Sequence, residues 1–160
     1  MQLQDIDLKE GALYVKRQWL RPIPRRKLPA RYGPPKTDAG VRRIPLSPDM
    51  VEMFKARKEK AFAKGQAGPE YPVFATRHGK PLSHRNVSRA FDAIRADAGL
   101  DVEWHDMRDF YASRMIARGT TATALAIWMG HADASITMKT YAKLFNQQKT
   151  DEQGREAMAR

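Results

Sequence analysis

Glycine divides the last third of this 160-residue chain into short, helix-length segments. Gly99, Gly119 and Gly130 each follow a run of apolar residues at helical spacing. A glycine just past such a run is where a helix turns into the left-handed conformation and stops. The pattern predicts a helix from about His105 to Arg118, a second opened by Thr121, and a third from near Ser135 that carries Tyr141. Met107, Tyr111, Met115 and Ile116 share one side of the first, and Leu125 and Trp128 one side of the second, so these faces are expected to be buried.

Upstream the pattern changes. Residues 12–19 (ALYVKRQW) are aromatic and β-branched and read as a strand. Leu20 to Pro35 is rich in proline and arginine and reads as a basic loop. Asp38-Ala39-Gly40 supplies turn residues before a strand-like stretch from Val41 to Leu46. Ser47-Pro48 has the form of a helix cap with proline at the first helical position, and the helix would reach about Lys64 with Met50, Val51, Phe54, Ala61 and Phe62 on one face. Tyr71 to Ala75 is a short extended piece, 78–81 a turn, and Ser83 caps a helix to about Ala98. The expected fold is mixed α/β, predominantly helical, with a small antiparallel sheet at the N-terminal end. No linker divides residues 1–145, and 146–160 form a polar tail.

Apolar residues make up 42% and charged residues 29% of the chain, a balance that favours folding over disorder. Lys plus Arg number 29 against 18 Asp plus Glu, a net charge of +11 that suits a polyanionic partner, nucleic acid first. A membrane surface is the competing polyanion, yet no apolar run approaches the roughly 18–20 residues of a spanning helix. The opening MQLQDIDLKEG is acidic and polar, unlike a signal peptide or lipid anchor. Absence of cysteine excludes disulfides and thiolate metal sites and suits a reducing cytosol.

The residues with chemistry lie among the glycine-bounded helices. His105 and Arg108 are three apart and so share a helix face. His131 follows the helix-ending Gly130, and Tyr141 lies ten residues beyond it. A phenol is a weak nucleophile until cations stabilise its oxyanion, which Arg108 and a lysine can do, while imidazoles move protons near neutral pH. Taken singly, each is an ordinary feature: a solvated pair, a helix end, a packed ring. Their order and spacing together point to chemistry on a phosphodiester.

Residues 103–143 closely resemble the catalytic segment of the tyrosine recombinases, the phage-integrase family, whose signature runs H-x-x-R, then L-G-H, then a nucleophilic tyrosine. KTDAGVRRIPL (36–46) resembles that family's lysine-bearing hairpin, and residues 73–100 its intervening turn and helix. The resemblance implies that Tyr141 attacks DNA to form a 3′-phosphotyrosyl bond, with Arg108 holding the nonbridging oxygens. It further implies that His105 assists proton transfer at the tyrosine and His131 hydrogen-bonds the phosphate. Lys36 would protonate the departing 5′ oxygen, although Lys27, Arg42 and Arg43 lie nearby and a basic hairpin beside DNA carries such residues for phosphate contact alone. Arg25 and Arg26 complete the expected DNA-contacting set.

No cofactor and no metal enters that chemistry. Double-stranded DNA and further recombinase protomers in a synaptic assembly are the implied partners, with no membrane, in the bacterial cytoplasm at the nucleoid. The family's first catalytic arginine would fall before Met1, since Leu3 to Leu8 already match the segment that follows it. The chain is accordingly expected to be a catalytic-domain fragment; the rival expectation is a catalytically inactive DNA-binding remnant of an integrase.

Overall fold

The computed structural model describes residues 1–66 and 68–159. The chain divides into two compact units, Met1–Asp92 and Ala93–Arg160. The expected class holds: helices dominate, and the strands are short, antiparallel and confined to the N-terminal part.

In the first unit, strands β1 (Ile6–Asp7), β2 (Ala12–Val15) and β5 (Arg42–Pro45) form an antiparallel sheet in the order β1-β2-β5. Leu13 stands opposite both Ile6 and Ile44, so the three strands align apolar residues on one register. The turn between β1 and β2 is closed by the Asp7 carboxylate, which accepts from the amides of Lys9 and Glu10 at 3.0 Å. Gly11, at φ 56°, brings the chain back in a conformation that a side chain would oppose. Pro45 sits on an edge strand, where its missing N–H breaks no inner ladder.

Helix α1 (Pro48–Ala63) starts as its sequence dictates, with Ser47 Oγ accepting from the Met50 amide at 3.4 Å. Phe54 packs with Leu3, Ile6 and Val73 into the unit's core, and Ala61 lies against it. The expected apolar face is only partly used. Phe62 is 76% exposed because it lies about 80° around the helix from Phe54, whereas Ala61 lies nearly above it. Met50 is also exposed.

Two further expectations are corrected here. The strand read over 12–19 breaks after Val15, and Gln18–Leu20 (β3) joins a second sheet. The basic loop from Leu20 to Pro35 is itself a hairpin, in which β3 pairs with β4 (Arg31–Gly33). Trp19 meets Tyr32 edge to face at 4.8 Å, and an Ile23–Leu28 bridge extends the arm. The prolines tolerate this because they lie outside both strands, where no ladder amide is needed. Tyr71 to Ala75 makes only isolated bridges, Gln2 with Pro72 and Ala75 with Pro81.

Helix α2 (His84–Asp97) begins in the first unit, where Ser83 Oγ accepts from the Asn86 amide at 3.3 Å, and ends in the second. The second unit packs α3 (Trp104–Ala117), α4 (Ala122–Met129) and α5 (Ala134–Met158) around Ala112, Ile116, Leu125, Met129 and Tyr141. Thr121 caps α4 as expected, accepting from the Ala124 amide at 3.2 Å. Met107 is the exception to the predicted buried side of α3, for it is 39% exposed while Ala112 fills the centre. Residues from Asn146 onward continue α5 as helix to Met158.

Candidate active site

Helix α3 presents the first group of candidates. Its entry is tied by the Glu103 amide, which donates to Asp106 Oδ2 at 2.7 Å one turn ahead, so His105, Arg108 and Asp109 follow on rigid backbone. Adjacent helical residues point about 100° apart, and Arg108 and Asp109 use that divergence. One turns to α4, the other to α5.

Arg108 Nη2 donates to the Met129 carbonyl at 2.8 Å. That carbonyl belongs to the last turn of α4, where peptide oxygens lack helical partners and the dipole is negative, so a guanidinium is favoured. Gly130 ends α4 at φ 72° in the left-handed conformation, and the His131 amide closes the cap on the Ala126 carbonyl at 3.0 Å. This turn sets the His131 ring beside Arg108. Its Nε2 lies 2.8 Å from Arg108 Nη2, and its Nδ1 lies 2.6 Å from Thr137 Oγ1.

A guanidinium nitrogen can only donate, so His131 Nε2 is the acceptor and the proton resides on Nδ1, which donates to Thr137. The imidazole is held neutral. Burial lowers its pKa first, and the nearby Arg108 charge lowers it further. Thr137 itself is fully buried.

Helix α5 begins at Asp133, whose carboxylate accepts from the Ser135 amide at 2.8 Å. Regular helical geometry is interrupted at one residue, Tyr141, with φ −114° and ψ 19°. Its ring is 8% exposed within the core of the unit, and its hydroxyl donates to Asp109 Oδ1 at 2.6 Å. The second Asp109 oxygen lies 3.2 Å from His105 Nδ1. Burial and the Asp109 hydrogen bond push the Tyr141 pKa up to about 12. The same hydrogen bond is the main reason that Asp109 lies below the usual carboxylate range, with His105 and Arg108 adding to it.

The structure thus brings Tyr141, Arg108, His105 and His131 together on three packed elements of one unit. Two residues that the sequence pattern does not single out, Asp109 and Thr137, link them. Asp109 was discoverable, being four residues from His105 and next to Arg108 on a helix. Thr137 had no signal of its own, because nothing in the spacing says which face of α5 turns to the loop at His131.

The remaining candidates belong to the first unit. Lys36 is exposed and directly precedes a 3-10 turn, Asp38–Gly40. Arg25, Arg26 and Lys27 occupy the tip of the β3–β4 hairpin, all exposed, with Lys27 at φ 51°. On β5, Arg42 Nη1 donates to the Gly40 carbonyl at 2.9 Å and Arg43 Nη2 to the Glu10 carbonyl at 3.4 Å. Among the described residues no group of three or more His, Asp or Glu is placed to hold a metal, and no helix is long and apolar enough to cross a membrane.

A guanidinium and an imidazole on α3, a second imidazole in the turn between α4 and α5, and a phenol on α5 thus lie in one unit. The phage integrase family model matches residues 1–148, and the chain belongs to that family, the tyrosine recombinases. It is 28% identical over 126 residues to a XerC-like tyrosine recombinase of Caldanaerobacter subterraneus, covering 73% of this chain and 32% of that protein. An integrase of Streptomyces ambofaciens is 30% identical over 122 residues, covering 71% of this chain and 31% of that one. The chain therefore spans about a third of the length of these relatives. In fold it is similar to the Tn1549 transposon integrase solved with circular intermediate DNA, with a TM-score of 0.70 and 22% identity over 97% of this chain and 53% of that one. XerA recombinase superposes with a TM-score of 0.63 at 13% identity, over 89% of this chain and 50% of that one.

Proposed function

We propose that this chain is the catalytic portion of a site-specific recombinase that cuts and rejoins double-stranded DNA through a 3′-phosphotyrosyl intermediate. The observation that carries the proposal is the convergence of Tyr141, Arg108, His131 and His105 within one unit, in a member of the phage integrase family. Tyr141 is the nucleophile. Arg108 holds the nonbridging oxygens through N–H groups on Nε and Nη1, positioned by the Nη2 bond to the Met129 carbonyl. When phosphate draws the guanidinium off His131, Nε2 is freed to take a proton and donate to the same phosphate. Lys36 serves as general acid for the 5′ oxygen, and Arg25, Arg26, Lys27, Arg42 and Arg43 contact the DNA backbone. The bond energy passes from phosphodiester to phosphotyrosine and back, so no ATP, cofactor or metal takes part.

Residues 1–145 form the catalytic domain and 146–160 a polar tail, part of a longer recombinase that supplies the first catalytic arginine. That protein acts with further protomers on paired DNA sites at the bacterial nucleoid. The DNA-bound state of the Tn1549 integrase supports DNA as the partner.

One observation favours a binding-only reading: Tyr141 is held protonated by Asp109. A single experiment separates the two. Nicked suicide substrates tiled from the sequence flanking the gene are incubated with this chain, an upstream-extended form, and Tyr141→Phe in each. A denaturation-resistant adduct lost in the Phe variant is the expected result. Salt-sensitive binding with no adduct from any form would leave the binding-only remnant standing.

A further inference from the structure

Resting on that reading, we propose that Asp109 is a catalytic residue, the group that takes up the Tyr141 proton as the phenol attacks phosphorus, with His105 positioning it from the far side. Tyr141 Oη donates to Asp109 Oδ1 at 2.6 Å, and Asp109 Oδ2 lies 3.2 Å from His105 Nδ1. The helices that carry these groups, α3 and α5, pack within a single unit. The nucleophilic oxygen is therefore already bonded to a carboxylate. The His105 ring stands beyond that carboxylate and reaches the phenol through it, so its part in the proton transfer is indirect.

The step balances without any further reactant. The Tyr141 O–H bond breaks and its proton passes to Asp109 Oδ1, while the oxygen lone pair forms the bond to phosphorus. The bond from phosphorus to the 5′ oxygen breaks, and that oxygen leaves with a proton from the general acid. Asp109 then carries the proton as a neutral carboxylic acid. On rejoining, a 5′ hydroxyl returns its proton to the general acid as it attacks the phosphotyrosine, and the departing phenolate takes a proton through Asp109.

A carboxylate is too weak a base to ionise a free phenol, and the ground state reflects this: Tyr141 is raised and Asp109 lowered. During attack the phenolic proton becomes strongly acidic as the oxygen binds phosphorus, and a weak base at hydrogen-bond distance suffices, as with the aspartate that accepts a hydroxyl proton in kinases. The charged and titratable groups facing Asp109 are Tyr141 from α5 and His105 and Arg108 from its own helix. The Tyr141 hydrogen bond and the Arg108 charge favour the ionised carboxylate, so Asp109 is in the accepting state at neutral pH.

The test measures the rate of Tyr141-dependent adduct formation on a suicide substrate against pH. It compares wild type, Asp109→Asn, Asp109→Glu and His105→Gln, in the form of the chain that gives the adduct. Asn keeps the shape and an acceptor oxygen but cannot take a proton. It should slow the adduct step by roughly 100-fold or more, with a rate that climbs with pH as hydroxide substitutes, and with DNA affinity unchanged. Glu should restore part of the rate. His105→Gln, as the loss of a positioning group, should move the acid limb of the profile to higher pH with a smaller fall in rate. Ultraviolet titration of Tyr141, with the Phe variant subtracted, should show its pKa falling from about 12 in the Asn variant.

An Asn variant that matches wild type in rate and profile overturns the inference. One that reacts faster also overturns it, making the hydrogen bond a restraint on the nucleophile. Should the Asn variant fail to fold, the Glu variant and the wild-type acid limb decide: a dead Glu variant, or a profile flat through the carboxylate range, overturns it. Complete absence of adduct from wild type in every form refutes the underlying function and takes the inference with it, an outcome distinct from a difference between active variants.

Discussion

The Tyr141 phenol and the Asp109 carboxylate share one proton across 2.6 Å, and each displaces the other's ionisation in the opposite direction. Tyr141 is raised to about 12, so its share of the stability is present below the ordinary phenol value and is lost as pH rises towards 12. Asp109 is lowered, so its share is present above the ordinary carboxylate value and is lost as pH falls through its folded value. The stability difference between wild type and Tyr141→Phe is therefore expected to be level between about pH 4 and pH 10 and to shrink beyond either end. Asp109 is half-exposed and water can replace the missing donor, so the plateau should be no more than about 1.5 kcal/mol. Denaturant titrations across pH measure it; a difference that grows above pH 10 would contradict the assignment of donor and acceptor.

His131 gives a second pH-dependent prediction with the opposite chemistry. Its neutral form is favoured in the fold, so its contribution is complete above the ordinary imidazole value and is lost as pH falls below it. In NMR the His131 ring should titrate below 6.5 and show the proton on Nδ1 at neutral pH. A ring protonated on Nε2, or titrating above 6.5, would mean that Arg108 does not hold it.

Thr137→Val keeps the shape of the side chain and removes the acceptor for that Nδ1–H. Thr137 is fully buried, so the imidazole donor loses its partner where little water can replace it. The expected cost is about 1–3 kcal/mol, with a shifted Nδ1–H resonance but the same His131 tautomer, since Arg108 still donates to Nε2. A variant of wild-type stability with an unchanged imidazole spectrum would sink this account of the site.

Much of the second unit was legible in its sequence, because the signals there are local. Gly130 and Thr121 bound α4 through caps that depend on neighbours three or four residues away, and Leu125 falls inward by simple periodicity. The chemistry was legible only in part. His105, Arg108, His131 and Tyr141 stand out by type and order, but their connections pass through Asp109 and Thr137, which become visible only once α3, α4 and α5 are packed. The basic segment after Leu20 was misread because its prolines masked a hairpin, whose pairing of Trp19 with Tyr32 is thirteen residues apart and has no local signature. Phe62 was misplaced for a different reason: a short sheet and a few core residues cover only part of the apolar stripe of α1.

Leu125 tests the packing that holds the site in place. It is fully buried among Ala112, Ile116, Met129 and Tyr141, and Met129 supplies the carbonyl that receives Arg108. Leu125→Ala should cost about 2–5 kcal/mol through diminished burial and the cavity left behind. It should also loosen the hydrogen bonds of Arg108 and His131, visible as a His131 pKa that returns towards its ordinary value. A destabilisation below 1 kcal/mol, judged against the usual ~2–5, would mean that the unit's core lies elsewhere.

The hairpin tip carries the last prediction. Arg25, Arg26 and Lys27 stand exposed at the end of a two-stranded arm whose base is fixed by the Trp19–Tyr32 pair and whose far end is closed by the Ile23–Leu28 bridge. A pinned arm presents its charges in one place at little entropic cost, whereas a free loop would have to be ordered on binding. Charge reversal at Arg25 and Arg26 should therefore lower DNA affinity and reduce the slope of log affinity against log salt by about 0.9 for each phosphate no longer neutralised. The stability of the protein should change by less than about 0.5 kcal/mol, since both side chains are on the surface. Breaking the arm instead, by Trp19→Ala with every charge retained, should weaken binding while leaving the salt slope nearer to that of wild type. If the reversed variant kept both affinity and slope, the arm would have no part in DNA binding, and the surface charge of the remaining unit would have to account for binding alone.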